Sequence, residues 1–178
     1  KEECVVFLGA GASTEALGAT GRPLHFKELL VDKLVRECNY PSERPKRLPE
    51  IAQYYCDVLD TGHKGRLVRL IRERIVRFMT IPQLYREVTD CHSIIASIPH
   101  FKVVVTTNWD PFMERAMNVI PIVRDRDIVY WNDKSRQVVK MHGCITDPES
   151  MIITKRDYDD YISTKLHSVI ANKIRDLM

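Results

Sequence analysis

The sequence predicts an α/β fold, a doubly wound and mostly parallel sheet with a helical insertion, and three observations carry that expectation. Short continuous apolar runs, "VVFL" at 5–8 and "VVV" at 103–105, suit strands buried on both faces of a parallel sheet. Both runs end in small or polar residues, "GAGAST" and "TTNWD", where open α/β sheets bind ligands. Between them, residues 41–98 hold apolar residues at helical spacing and no strand signal.

The elements follow in order. After the opening strand and its glycine turn, "HFKELLVDKLVREC" places Phe26, Leu29, Leu30, Leu34 and Cys38 on one face of an amphipathic helix. "NYPSERPKRLPE" holds three prolines and reads as a surface loop. Three helical segments come next: Ile51 to Leu59; "GRLVRLIRERIVRFM", with Leu67, Leu70, Ile71, Ile75 and Phe78 in register; and Leu84 to Ile98, with Val88, Cys91 and Ile95. "FKVVVTTNWD" resumes the sheet, and Asp110 and Pro111 open a helix through Met117, because proline is favoured in a first turn. "IPIV", "IVYW", "QVVKMHG" and "SMIIT" read as four further short strands. The closing segment "KRDYDDYISTKLHSVIANKIRDLM" is helical, with Tyr161, Leu166, Ile170 and Ile174 spaced for burial. A strand usually follows such a helix, which leads to the expectation of a fragment of a longer, multidomain chain.

Composition narrows the classes. The 178 residues are 44% hydrophobic, enough for one well-packed domain. The formal net charge is +3, and basic residues alternate with acids along the helical segments. That pattern is a solvated surface; it does not imply direct nucleic-acid binding, and a modest positive field suits an anionic small molecule. Five scattered cysteines without a CxxC pair read as small buried hydrophobes in a reducing compartment rather than a zinc or disulfide framework. With no signal peptide, glycosylation sequon or membrane-length apolar run, the expected location is the cytoplasm.

Three strand ends carry possible chemistry. Gly9 and Gly11 permit positive φ and close approach of a diphosphate, and Ser13 can cap the following helix; the same residues equally make a turn with no ligand. Asn108 and Asp110 suit a helix cap as well as a site, and His142 a turn as well as a base. What favours a site is their joint position, since all three motifs close predicted strands and can converge on one crevice. The dinucleotide fingerprint G-x-G-x-x-G is not met, because position 14 is Thr. At the spacing where an acid should close a second strand lies instead the helix with Glu28 and Asp32. No GKS or GKT follows the glycines, which argues against a P-loop nucleotidase.

"GAGAS", "TTNWD" and "KMHG", in that order, together with "SMIITKRDYDDY", resemble the sirtuin family, and more closely its SIR2-like branch. The resemblance implies a Rossmann-like sheet and NAD as substrate. It implies Gly9, Ala10, Gly11, Ala12 and Ser13 at the pyrophosphate, and Thr107 and Asp110 among the NAD-binding residues. Asn108 and His142 are the implied catalytic pair at the nicotinamide ribose, where bond cleavage builds oxocarbenium character. Asn108 can orient a water below C1′, and His142 can accept a proton.

The departures also bear on function. Protein-deacylating sirtuins carry a four-cysteine zinc ribbon and a Gly-Ile-Pro-Asp-Phe-Arg stretch; here "LGATGRPLHF" stands at the second location, and helical segments at 41–98 replace the zinc module, so no zinc is expected. Thr107 stands where the deacylases have Gln. The first expectation is an NAD glycohydrolase giving nicotinamide and ADP-ribose. The resemblance implies the triggered, NAD-depleting effector of an antiviral defence system. It further implies a homo-oligomer working with a sensor, NTPase or Argonaute-type module in the same chain or complex, with no membrane involved. The alternatives are an NAD-dependent protein deacylase or ADP-ribosyltransferase, and a non-catalytic NAD or ADP-ribose binding module controlling assembly.

Overall fold

Strands β1 (Cys4–Leu8), β2 (Phe101–Thr106) and β3 (Gln137–Lys140) form a parallel sheet in the order β1-β2-β3. The computed structural model describes residues 4–14, 26–79, 88–165 and 168–177. Seven α-helices are described: α1 (Phe26–Cys38), α2 (Leu48–Leu59), α3 (Gly65–Met79), α4 (Asp90–Ser97), α5 (Phe112–Met117), α6 (Lys155–Lys165) and α7 (Val169–Asp176). Two compact units result. The first is Lys1–Leu24, Phe78–Met151 and His167–Met178; the second is His25–Arg77 and Ile152–Leu166.

The first unit holds the sheet. Alternation along β2 sends Val103 and Val105 to one face, where they join Val139, Ile122, and Ile170 and Ile174 of α7. Val104 faces the other way and joins Val138 with Met113 and Met117 of α5, while Ile95 and Ala96 of α4 pack alongside. Apolar contact on both faces explains why β2 and β3 read as unbroken Val-rich runs rather than alternating ones. This is the doubly wound, Rossmann-like arrangement. β1 differs from expectation: as the edge strand it leaves Phe7 60% exposed, so it is not buried on both faces.

The later expected strands divide. "QVVK" is β3, and "IPIV" contributes a single parallel bridge between Ile122 and Val139, held by Ile122 N–H to Val138 O and Lys140 N–H to Ile122 O, each 2.8 Å. "IVYW" is no strand. Asp125–Tyr130 is a 3-10 helix whose capping box pairs Arg124 with Asp127, and Val129 and Tyr130 face solvent. "SMIIT" forms no strand either. Met151 to Thr154 are buried, but the Ile153 and Thr154 N–H groups donate to the Asp157 carboxylate (3.0 and 2.9 Å) rather than to a neighbouring strand. A side chain from the following helix thus supplies the acceptor a ladder would have provided.

The second unit is built from α1, α2, α3 and α6, with α1 packed on α2 and α2 on α6. Leu30, Leu34, Cys38, Ile51, Ala52, Tyr55, Leu67 and Ile71 are among its buried residues, and Leu30, Leu34, Cys38, Leu67 and Ile71 of these stand in the helical registers read from sequence. The helical stretch 41–98 is divided, with α2 and α3 here and α4 in the first unit. The side chains of Phe26, Leu29, Ile75 and Phe78, and residues Leu84, Leu166 and 15–25 with most of "LGATGRPLHF", lie outside the described residues. Cys38, Cys56 and Cys144 are buried, Cys91 is half-buried and Cys4 is exposed; burial, with Asp60 and Asp57 nearby, pushes the Cys56 thiol up to about 12. No helix among the described residues is long and apolar enough to cross a membrane.

Thr154 and Asp157 form a reciprocal cap at the start of α6: Asp157 N–H donates to Thr154 Oγ1 (3.1 Å) while the carboxylate also accepts from Lys64 (2.9 Å). Burial raises the Asp157 pKa, but the two backbone amides and the Lys64 ammonium outweigh it and hold the carboxyl below its ordinary value. The carboxylate's stabilisation is therefore complete above the unfolded value, near ~4, and is lost as pH falls through the lower folded value. Asp157→Ala is expected to cost about 2 kcal/mol at neutral pH. Urea unfolding at descending pH should show that difference shrinking below pH ~4; a constant difference would contradict the assignment.

Candidate functional site

Register places the three candidate loops side by side. Leu8, Thr106 and Lys140 form one row across the sheet, so the residues after them leave from the same carboxyl edge. At a strand spacing of ~4.8 Å, that row spans only about 10 Å. The Thr107 N–H donates to Leu8 O (3.3 Å) and the Met141 N–H to Thr106 O (2.8 Å), extending the ladder one step into the loops.

The first loop is a 3-10 turn, Ala10–Ser13, with Gly9 at its start. Gly9 has φ −113°, and the described glycines with positive φ are Gly62 and Gly143. The positive φ that glycine permits is therefore not used at Gly9 or Gly11, because a 3-10 turn keeps ordinary negative φ. A Cβ at either glycine would meet nothing within 4 Å. Neither backbone conformation nor packing among the described residues requires glycine there.

Asn108 joins this loop to the second. It is buried, and its Nδ2 donates to Gly9 O (3.1 Å) and Ser13 Oγ (3.0 Å). Since a backbone carbonyl only accepts, the amide orientation is fixed with nitrogen toward Gly9. Both Nδ2 protons are thereby used, and Oδ1 remains as the acceptor end. Ser13 Oγ donates in turn to Asp110 Oδ2 (2.8 Å), and Asp110 Oδ1 accepts from the Phe112 N–H (3.2 Å), which caps α5. Asp110 thus serves as a cap with one oxygen and ties the first loop to the second with the other. Thr107 is exposed beside this cluster, as are Gly9, Ala10 and Gly11; Ala12 and Ser13 are half-buried.

His142 follows β3 at the same edge and is half-buried. Burial lowers its pKa below the ordinary histidine value, so the ring is neutral at neutral pH. The turn that carries it is tight. Gly143 has φ +85°, and a Cβ there would lie 2.3 Å from Ser150 O.

Behind the loops sit residues that sequence reading passed over. Lys140, whose side chain is fully buried, pairs with buried Glu114 of α5 at 2.8 Å. Its ammonium also donates to the carbonyls of Asp110 and, at 3.4 Å, Trp109. The available signal was a lysine directly after the apolar pair Val138 and Val139 at the end of a strand, where a charge is expensive to bury without a partner.

With this geometry established, comparison with known families gives a match. Residues 102–178 fit the family model described as SIR2-like domain. Those residues carry the SIR2-like match. That match takes in Asn108, Asp110 and His142, while Gly9 to Ser13 lie outside it, after the strand that pairs with β2. The chain is similar to the protein named NAD(+) hydrolase ThsA from Bacillus cereus (strain MSX-D12), 27% identical over 184 residues, covering 100% of this chain and 35% of that protein. Proteins of the same name from Acinetobacter baumannii (strain 532279) and Enterococcus faecium are 31% and 29% identical. They match 88% and 90% of this chain, and 30% and 32% of their own lengths. The chain therefore spans about a third of the length of these curated relatives.

Proposed function

We propose that this SIR2-like domain cleaves the nicotinamide–ribose bond of NAD, releasing nicotinamide and ADP-ribose, as the triggered NAD-depleting effector of a cytoplasmic antiviral defence system. One observation carries the reading: Asn108, Ser13 and Asp110 bind two strand-end loops into a single hydrogen-bonded edge. Beside that edge, the Cβ positions of Gly9 and Gly11 are open. Glycines that neither φ nor packing demands leave backbone accessible to a bulky anion, which fits a dinucleotide diphosphate at Gly9 to Ser13. The name NAD(+) hydrolase carried by the three relatives supports the same substrate. The defence role and assembly with a sensor module rest on the family resemblance.

In this reading the C1′–N bond breaks with its electron pair leaving on nicotinamide, which neutralises the pyridinium. Cationic character then develops on the ribose, and Asn108 Oδ1, with its amide nitrogen already engaged, accepts a hydrogen bond from the attacking water. That water loses its proton to His142 as the new C1′–O bond forms. A histidine with its pKa lowered by burial is in the accepting form at neutral pH. The acid limb of the rate profile is accordingly expected below the ordinary histidine value of ~6.5, with a plateau above it.

The test incubates the full-length protein with NAD, alone and with extract from phage-infected cells, and quantifies both products from pH 5 to 8. Equimolar nicotinamide and ADP-ribose are expected, with release lost in His142→Ala. NAD that is bound but left intact under both conditions would sink the reading.

A further inference from the structure

We infer that the buried Lys140–Glu114 pair is a latch that positions the Asn108–Asp110 loop, making Lys140 a positioning residue for the site. Three acceptors surround its ammonium, matching its three protons: Glu114 Oε1 at 2.8 Å, Trp109 O at 3.4 Å and Asp110 O. Two of these are backbone carbonyls of the loop that carries Asn108 and Asp110. The third anchors the cation to α5, the helix that the loop enters. Trp109 O also accepts from the Ile145 N–H at 2.9 Å, so the segment after His142 hangs on the same point. Glu114 Oε1 receives the Cys144 thiol at 3.6 Å, a second tie to that segment.

A buried ion pair is not needed for stability as such, because apolar residues of similar volume commonly replace one without loss. What Met or Leu cannot do is donate to two carbonyls. Leaving those carbonyls without their donor frees the loop to shift while the core stays filled, and a displacement of ~1 Å at a reacting centre is enough to cost about 10²-fold in rate. The consequence for turnover rests on the NAD-cleavage reading; the consequence for loop order does not.

The test compares the full-length parent with the double variant Lys140→Met/Glu114→Met, in which no charge is left buried alone. Unfolding midpoint, amide hydrogen exchange and nicotinamide release are measured on the same preparations. The double variant is expected to keep a parental midpoint, exchange at least ~10-fold faster in peptides spanning 107–114 and 144–150, and leave exchange across β1 unchanged. Its kcat is expected to fall about 10²-fold, with KM moving less than about threefold. Parental exchange in those peptides, parental kcat, or unfolding of the double variant would each overturn the latch, the last by making the pair a stability element. A parent that does not cleave NAD would instead overturn the functional reading, and hydrogen exchange would still decide the latch.

Discussion

Replacing Asn108 by alanine is expected to lower nicotinamide release about 10²–10³-fold while the domain stays folded. The folding cost is bounded by two lost hydrogen bonds, from Nδ2 to Gly9 O and Ser13 Oγ, together about 1–2 kcal/mol. That is small beside the roughly 5–15 kcal/mol that holds an ordinary domain together. The catalytic cost is larger because alanine also removes Oδ1, the acceptor end of the amide. Ser13→Ala separates the two roles. It deletes the oxygen that accepts from Asn108 and donates to Asp110, yet leaves Oδ1 in place, so a loss of about tenfold in kcat/KM, mostly in KM, is expected. Steady-state kinetics on both variants decides the matter. If Ser13→Ala lowers kcat as far as Asn108→Ala does, the asparagine is only a staple between loops and its chemical role is lost.

What could be read in the sequence follows from the range over which each residue finds its partners. Helices α1, α2 and α3 were legible because Leu30, Leu34, Ile51, Leu67 and Ile71 repeat at the spacing that buries one face. Strands β2 and β3 were legible because burial on both faces leaves an unbroken Val-rich signature. "IVYW" and "SMIIT" have that local appearance without a ladder. A capping box bends the first into a 3-10 helix, and the Asp157 carboxylate supplies acceptors for the second. At the site, Gly9, Asn108, Asp110 and His142 stood out as strand-end residues. Their joining was not legible, since Asn108 meets Ser13 across 95 positions of chain. Lys140 and Glu114 were passed over for the same reason. Glu114 reads alone as a surface charge, and only the fold brings it to Lys140 in the interior.

Gly143→Ala and Gly11→Ala are expected to fail in opposite ways, one in stability and the other in binding. A Cβ at Gly143 would stand 2.3 Å from Ser150 O, 2.5 Å from Ser150 C and 2.7 Å from Met151 Cα, all backbone atoms that cannot rotate aside. The residue also sits at φ +85°, where an L side chain is disfavoured by about 1–2 kcal/mol. Overpacking against fixed backbone adds about 1–3 kcal/mol. The sum of about 2–5 kcal/mol lowers the melting midpoint by roughly 2–4 °C per kcal/mol, and it displaces the turn that carries His142. Gly11 has no positive φ, and its Cβ would enter open space, so Gly11→Ala is expected to melt within ~1–2 °C of the parent. Its new methyl group nonetheless occupies the approach to the backbone that a dinucleotide would need, and NAD affinity should fall about tenfold or more. Calorimetric melting paired with NAD titration separates the two. A Gly11→Ala protein that binds NAD like the parent would leave the turn at Gly9 to Ser13 as a turn alone. The pyrophosphate subsite would then have to be sought elsewhere along the carboxyl edge of the sheet.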